Sequence, residues 1–563
     1  MLPPPPIRGV FRTDYRARTA YAEGAGIYRI IPSAVCLPRD REDVASLAHW
    51  AAAHRVALVP RGAGSAMGGG NVGDGVVVDL TGLPRRIELD ATARRARAGA
   101  SVRLGDLNLA ADRAGLRLPP DPSSGRWATL GGMLSTNAAG ARSVRHGSVR
   151  RWVEAAELVT AEGEIVELRR GAAPDRRSLA LERFDAEAAP ALRQAAAVIR
   201  RRFPRTRKNA SGYALDAWLD SGDALDLLIG AEGTLGLVTA AEWRLDPLPG
   251  ARAGLRVALR SLDLLADAVA ALLAVEPSAV ELLDRTFLEL VGQHGPEAVL
   301  LVELERDDEA SARAAVKQAA AAVQPFAASV DTGLTQAAAE RLWALRHAAS
   351  PILASLPETR RSLQVIEDGC VPVARMGEYI RAVREAAAAR ALAVVIFGHA
   401  GDGHVHVNLL PELSRPDWEA AVAGLLDTVT AALVELGGTP SGEHGDGRLR
   451  AGLLPRIYGD EVMGLFARVK RAFDPLGILN PGVILPSAEP PVSRLKVGAG
   501  AVPLPADIAG ELRLIEQRGG YARSRLELAD RGGETRPAED AAAASPEERA
   551  RVAPAPDRPT THP

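Results

Sequence analysis

Residues Val56 to Leu80 read VALVPRGAGSAMGGGNVGDGVVVDL. An apolar strand runs into a loop dense with glycine, and a second apolar strand follows. Between Arg61 and Asn71 the glycines permit positive φ and let backbone N–H groups close on an anion. The loop has no GxxxxGKS/T pattern and leads into a strand rather than a helix. It is therefore neither a Walker A loop nor a Rossmann fingerprint. The bland alternative, a mobile glycine linker, is the lesser reading of this segment alone.

Its neighbours change that balance. Upstream, REDVASLAHWAAAHR (41–55) has helical spacing with Val44, Leu47 and Ala51 on one face. Downstream, Pro119 to Gly147 (PPDPSSGRWATLGGMLSTNAAGARSVRHG) is a second long loop, low in charge and rich in Gly, Ser, Asn and Pro. A loop of that length inside a compact domain is usually functional. A third, IGAEGTLGLVT (229–239), lies between apolar segments. Three such loops between short strands suit a large phosphate-bearing cofactor wrapped by backbone donors.

From about Ala251 to Glu435 the pattern changes to Ala-rich helical segments alternating with strands such as AVELLD and AVLLVELE. Within this part lies VVIFGHAGDGHVHVNLL (394–410). His404, His406 and Asn408 alternate with Val405 and Val407, the period of a half-buried strand. His399 sits in the turn before it. SGEHGDG (441–447) adds Glu443 and His444. Imidazoles and a carboxylate in two short Gly-rich segments suit a divalent metal of the zinc type. Asp402 and Asp446 stand in GDG turns and are read as structural.

The chain has 563 residues, 47% hydrophobic and 25% charged, the composition of a soluble globular protein with two or three domains. Lys plus Arg (68) nearly balances Asp plus Glu (70), so nothing points to nucleic acid or an anionic membrane. Two cysteines, Cys36 and Cys370, exclude a disulfide framework and an iron–sulfur cluster held by four cysteines of this chain. No apolar run reaches the roughly 20 residues that span a bilayer. MLPPPPIRGV lacks the regions of a signal peptide, so a cytoplasmic protein is expected.

PRGAGS, the TLGG…NAAG loop and GAEGTLGLVT resemble the flavin-binding signatures of the FAD-linked oxidases of the vanillyl-alcohol-oxidase type. SGYALDAW, His399 to Asn408, GEHGDG and FDPLGILNPG continue the resemblance, which covers about residues 10 to 486. Within that family it is nearest to the D-2-hydroxyacid dehydrogenases, the group of D-lactate dehydrogenase, the glycolate oxidase flavoprotein subunit and D-2-hydroxyglutarate dehydrogenase. The resemblance implies an α+β fold, with a two-part FAD-binding domain and an α+β substrate-binding cap. The expected division is an N-terminal arm (1–35), the FAD domain (36–250), the cap (251–435), a segment returning to the FAD domain (436–486) and a largely disordered tail (487–563).

The same resemblance implies the site. The cofactor-binding residues are Pro60, Arg61, Gly62, Ala63, Gly64, Ser65, Gly69, Gly70 and Asn71 in the first loop. Pro120, Asp121, Gly131, Gly132, Asn137, Gly140 and Ser143 come from the second, Glu232, Gly233 and Leu235 from the third, and Asn480 from the C-terminal return. No His lies between Arg61 and Gly75, so FAD is expected to be non-covalent. His399, His406 and Glu443 match metal-ligand positions; Zn is expected, with Mn, Fe or Co as other fits for N and O ligands. His404 stands where relatives usually carry Asn. It could orient a ligand, compete for the metal or touch substrate.

For the substrate, the resemblance implies a carboxylate gripped by Arg346, whose fork suits bidentate binding, with Arg361, Ser350 and Asn408 as further contacts. Arg361 occupies a position that is often Lys. His444 is the expected general base, since a neutral imidazole of ordinary pKa near 6.5 accepts a proton at physiological pH. The implied reaction is metal-assisted oxidation of a D-2-hydroxyacid to a 2-oxoacid, with hydride passing from C2 to flavin N5. Electrons would leave to an iron–sulfur subunit, an electron-transfer flavoprotein or a quinone. Two other readings are an alkyl-glycerone-phosphate synthase-like transferase, whose histidine run GEHGDG does not match, and a non-catalytic FAD-binding relay subunit.

Overall fold

The computed structural model describes residues 3–172, 178–521 and 524–530. The fold is α+β. Strands β1 (Val10–Arg12), β2 (Ala34–Leu37), β3 (Leu58–Arg61) and β4 (Val76–Asp79) form a sheet of order β1-β2-β4-β3, with β2, β4 and β3 parallel. Next come β5 (Ile87–Asp90), β6 (Arg95–Gly99), β7 (Leu116–Arg117), β8 (Val153–Val159), β9 (Ile165–Arg169), β10 (Leu237–Arg244) and β11 (Asp246–Pro247). Five of these make an antiparallel sheet of order β5-β6-β10-β8-β9, and β7 pairs with β11.

The remaining strands are β12 (Ala251–Leu259), β13 (Ala279–Asp284), β14 (Ala298–Arg306), β15 (Ala327–Gly333), β16 (Gly369–Cys370), β17 (Ala393–His399) and β18 (His404–Leu410). They make a seven-stranded antiparallel sheet of order β15-β12-β14-β13-β17-β18-β16. Among the described residues no helix is long and apolar enough to cross a membrane.

Local chemistry accounts for the elements that frame the site. The helix Arg41–His54 starts where the Asp40 carboxylate accepts from Asp43 N–H at 3.0 Å, and stops at Arg55 with φ 54°. Its Val44, Leu47 and Ala51 are fully buried. The alternation along β18 predicts a half-buried strand, yet all seven of its residues are buried. Its polar face turns to an enclosed site rather than to solvent, so the period-2 pattern marks function here.

Two large cores flank that site. One gathers residues from 34 to 245 together with the helix Leu454–Phe473 and Ile478 to Ile484. The other is built on the seven-stranded sheet and still includes Leu449 and Leu453, so the chain returns to the first core only at Leu454. Ion pairs join them. Arg142 forks onto Glu303 through Nε and Nη2, both at 2.7 Å, and Arg117 forks onto Glu305 at 2.7 Å. Charge-assisted bidentate pairs fix orientation as well as distance.

The return segment is stitched to the first sheet by backbone. Leu58 N–H donates to Ile478 O and Asn480 N–H to Leu58 O, each at 2.8 Å. The Asn480 amide adds bonds to Gly70 O (2.8 Å) and Glu232 O (2.9 Å). Asn480→Ala strands the buried Glu232 carbonyl and the half-buried Gly70 carbonyl, and its stability to urea should fall by about 2 kcal/mol, within the ~1–3 kcal/mol cost of an unsatisfied polar group. An unchanged urea midpoint would contradict this role.

The expectation of a largely disordered tail from 487 is corrected as far as Asp530. Helices Ala506–Arg518 and Leu526–Asp530 pack Ile508, Leu512, Leu526 and Leu528 against Ala17, Tyr21, Val35, Val59 and Val77. The apolar spacing at 508, 512 and 515 supplies a helix face that the surrounding Ala and Pro conceal. Residues 531–563 lie outside the described residues.

Candidate functional site

A cavity of about 540 Å³ runs between the two cores. The first loop lines it from Pro60 to Met67 and again at Gly70 and Asn71; Gly131 and Gly132 of the second loop and Glu232 and Gly233 of the third complete that end. At the other end stand Arg346, Arg361, Asn408, His406, Glu443 and His444. The cavity thus brings together the glycine loops, two of the three expected metal ligands (His399 stands just behind them) and three of the expected substrate contacts. Ser350 lies in the helix Ala349–Ala354, and its side chain lies outside the described residues.

The loop end is built for an anionic, hydrogen-bonding guest. Arg61 is 2% exposed, its Nη1 donates to Asn71 O at 3.4 Å, and its Nη2 has no partner. Asn71 Oδ1 is likewise buried without a partner. Unmet buried polar atoms beside a cavity fit a ligand that supplies the missing bonds, and FAD offers both acceptors and donors. Gly64 has φ +79°, and a Cβ there would come within 2.5 Å of Arg61 Nη2. Gly64→Val should therefore raise the FAD dissociation constant at least tenfold in a flavin-fluorescence titration, since both the backbone and the guanidinium must shift. Wild-type affinity would count against the cradle.

Other residues expected on the cofactor lie behind the wall. Asp121 accepts from Arg142 N–H (3.1 Å) and Nη1 (2.6 Å) and so belongs to the clamp between the cores. Ser143 Oγ bonds Gly140 O and Asp402 Oδ2, with Gly140 packed on Asp121. Asn137 caps the helix Leu130–Thr136 at φ 50° and accepts from Arg150 N–H. Gly69 packs on the Tyr28 ring, Pro120 is buried beside Asp121, and Leu235 is core. Asn480 ties the first loop to the third, as described. The Glu232 carboxylate, raised by burial and by Asp446, accepts from the N–H groups of Asp446 (2.7 Å) and Gly447 (3.0 Å). It thereby anchors the GEHGDG turn to the cofactor end.

At the other end, β17 and β18 meet at the turn 400–403, and Glu443 comes in from above. His399 Nε2, His406 Nε2 and Glu443 Oε1 form a triangle with edges of 3.3, 3.4 and 3.5 Å. Ligands about 2.0–2.1 Å from a tetrahedral ion stand about 3.3–3.4 Å from one another. The three atoms therefore have the spacing of one face of a metal's coordination shell.

Supporting bonds point the imidazoles. His399 Nδ1 donates to Glu281, its cross-strand neighbour on β13, and His406 Nδ1 donates to Glu367 O at 2.8 Å. In the neutral rings both bonds leave Nε2 as the bare nitrogen, the usual outer support of a metal-bound histidine. Burial opposes charge on His399, but Glu281 outweighs it and holds the pKa at about 9. The pocket thus attracts positive charge, and a metal ion supplies it as well as a proton does. Glu443, buried as it is, stays well below the usual carboxylate range because of Lys208 and His399.

His404 stands on the same face but is engaged at both nitrogens. Its Nε2 is 2.8 Å from Asp368 Oδ1 and its Nδ1 3.5 Å from Lys208 Nζ. Burial and His406 push its pKa down to about 3, so it is neutral. Its Nδ1 stands 3.9 Å from Glu443 Oε2 and lies within the loose donor group, yet the Lys208 ammonium faces it. Of the three roles open from sequence, the geometry matches a positioning one. A second donor group, Glu367, Asp368, His406 and His444, is tied up by Arg450 and by the backbone N–H groups of Glu443 and His444.

His444 Nδ1 donates to Glu367 Oε2 at 2.7 Å, and its Nε2 is 3.3 Å from Glu443 Oε1. Burial lowers its pKa, but Glu367 and Asp368 raise it well above the ordinary value. The expectation of an ordinary, neutral imidazole is thus corrected: the carboxylates favour the imidazolium, so the ring can act as a base only after it has lost the Nε2 proton. Arg346 Nε donates to Glu281 Oε2 at 2.7 Å over the Phe397 ring, so Glu281 links the expected carboxylate grip to His399, an expected metal ligand. Asn408 Oδ1 accepts from Ser362 Oγ (2.9 Å) and Gln364 Nε2 (3.2 Å). Arg361 pairs with Glu516 of the tail helix.

Sequence reasoning missed Lys208, Glu281, Glu367 and Asp368. Lys208 Nζ is 2.8 Å from Glu443 Oε2 and 3.2 Å from Gly140 O, joining the second loop to the metal cluster. The available signal was a carboxylate inside an apolar strand, AVELLD, and an acidic pair after VI in VIEDG.

Comparison with known proteins places the chain in a family. Residues 32–169 match the family model "FAD binding domain" and residues 248–484 match "FAD linked oxidases, C-terminal domain". The chain is 30% identical to a D-lactate dehydrogenase of Archaeoglobus fulgidus over 80% of this chain and 91% of that one. It is 29% identical to glycolate oxidase subunit GlcD of Bacillus subtilis over 81% and 89%. With D-2-hydroxyglutarate dehydrogenase of Escherichia coli it shares 28% over 86% of this chain but 51% of that one, about half of that relative's length. Among solved structures, 4-ethylphenol oxidase from Gulosibacter chungangensis superposes with TM-score 0.61 at 15% identity over 84% of this chain and 94% of the other, a likeness of fold.

Proposed function

We propose, from the premise that this chain belongs to the FAD-linked oxidases, that it oxidises a D-2-hydroxyacid to the 2-oxoacid with the help of a divalent metal. As a member of that family it is a flavin-dependent oxidoreductase; the substrate class, the metal and the roles below are the proposal. The observation that carries it is the convergence, on one cavity, of a glycine cradle, a guanidinium and a triangle of two imidazoles and a carboxylate.

Arg61, Gly62, Ala63, Gly64, Ser65 and Asn71 would hold the FAD phosphates and ribityl chain without a covalent bond, since that loop carries no His. Bound there, the flavin supplies the two-electron sink for the hydride from C2. His399, His406 and Glu443 would hold the metal, whose charge acidifies the substrate hydroxyl. Arg346 grips the substrate carboxylate with its position fixed by Glu281. His444, once its Nε2 proton has left to solvent, would accept the hydroxyl proton there, while its Nδ1–H remains on Glu367, which orients the ring. Asn408, held by Ser362 and Gln364, fixes the substrate in plane. The walls from both cores keep bulk water away from the reacting carbon.

The test is anaerobic. D- and L-lactate, glycolate and D-2-hydroxyglutarate are added singly to the yellow protein, and the visible flavin band is followed. Bleaching by a D-acid, lost on chelation and restored by Zn or Mn, is the expected result. A bound flavin that no hydroxyacid bleaches would overturn the proposal.

A further inference from the structure

We propose that the tail helix Ala506–Arg518 completes the substrate end of the cavity, and that its Arg513 forms with Arg361 a subsite for a second carboxylate. The substrate is then a dicarboxylic 2-hydroxyacid. This deepens the hydroxyacid reading above and rests on it.

Arg513, Glu516, Gly519 and Tyr521 line the same cavity as Arg346 and Arg361. Three cations meet there with side chains largely out of water: Arg361 at 9% exposure, Lys496 at 3% and Arg513 at 19%. All three converge on Glu516, with Lys496 Nζ at 3.1 Å and Arg513 Nη1 at 3.2 Å. The other carboxylate in reach is Glu358, 2.8 Å from Arg513 Nε and 3.4 Å from Arg361 Nη1. Glu358 is 68% exposed, so water screens most of what it offers. Arg513 Nε, though close to Glu358, has no acceptor in hydrogen-bond geometry. Three cations thus share two carboxylates, one of them mostly in solvent. Each cation has a partner, and Arg513 Nη2 also donates to Leu356 O at 3.1 Å, yet the cluster keeps an excess of positive charge largely out of water, which a ligand carboxylate balances.

Arg346 is matched differently. It bonds Glu281, which is fully buried and also carries His399, so it belongs to the metal end, where the carboxylate next to C2 is expected. A polar strip connects the two ends. Asn408 follows His406 by two residues on the same face of β18, about 7 Å further along. Ser362, the neighbour of Arg361, bonds Asn408. A substrate with one carboxylate at the metal end therefore meets a second cationic group farther along the same wall.

The test measures binding separately from turnover. The metal- and FAD-loaded protein is titrated with 2-oxoglutarate and with pyruvate, and the flavin difference spectrum is read. The expected result is 2-oxoglutarate binding about 10–100-fold tighter than pyruvate, the range of a charge-assisted contact. In Arg513→Gln that advantage disappears, while pyruvate binding and FAD content stay the same. Glu516→Gln removes the internal counterion and should tighten 2-oxoglutarate instead. Equal affinity for the two acids, or an Arg513→Gln variant that weakens both alike, overturns the proposal. So does a Glu516→Gln variant with weaker 2-oxoglutarate binding. Selective diacid binding without flavin reduction by any 2-hydroxyacid would sink the hydroxyacid reading and leave the subsite standing.

Discussion

His406→Ala should bind FAD normally, contain well under one metal ion per chain by elemental analysis, and reduce its flavin with a D-hydroxyacid about a thousandfold more slowly. The magnitude follows from the several kcal/mol a Lewis acid contributes to a developing alkoxide, at about 1.4 kcal/mol per decade of rate. His406 is the informative ligand to remove because its loss disturbs least. Glu443 also neutralises buried Lys208 at 2.8 Å, and His399 shares Glu281 with Arg346. Truncating either takes away one partner of a buried charge, which disturbs the fold as well as the triangle. His406 Nδ1 gives up only a bond to the Glu367 carbonyl. If His406→Ala lacks metal and still reduces its flavin at the wild-type rate, the triangle has no part in the reaction.

The second large effect concerns His444. His444→Gln should keep its FAD and its metal and lose about 10²–10⁴-fold in the rate of flavin reduction, the usual contribution of a positioned general base. Glu367→Gln should give a smaller loss, because the ring keeps its Nδ1 partner but not the negative charge that strengthens it. Stopped-flow reduction under anaerobic conditions measures both. A His444→Gln variant as fast as wild type would transfer the base role elsewhere, and a Glu367→Gln variant slower than His444→Gln would mean that Glu367 acts mainly on Arg450 and the fold.

Much of this arrangement was legible in the chain because it is carried by composition over short windows. Glycine-rich loops between apolar runs announce a cradle, and HVHVN announces one polar strand face. What such windows cannot carry is a single charged residue whose meaning comes from a partner far away. Lys208 gains its role from Glu443, 235 residues on, and Glu281 from His399, 118 residues on. Asn480 and Asp121 were read as cofactor contacts because they sit in the right loops. Their side chains instead hold those loops together, which only packing decides. The tail escaped because its helix face of Ile508, Leu512 and Ile515 is embedded in an Ala- and Pro-rich stretch.

The stitch between the first and last parts of this fold also bears on how the chain is made. Asn480 closes on Gly70 across 410 residues, and β3 takes up Ile478 and Asn480 beside it. At about 5–20 residues per second a ribosome needs about 20–80 s to reach the closing segment after the opening one has emerged. For that time one edge of the first sheet is without its neighbour, and the Asn480 bonds that tie the first loop to the third are missing. Nascent chains should therefore depend on holding chaperones more than their sheet content alone would suggest.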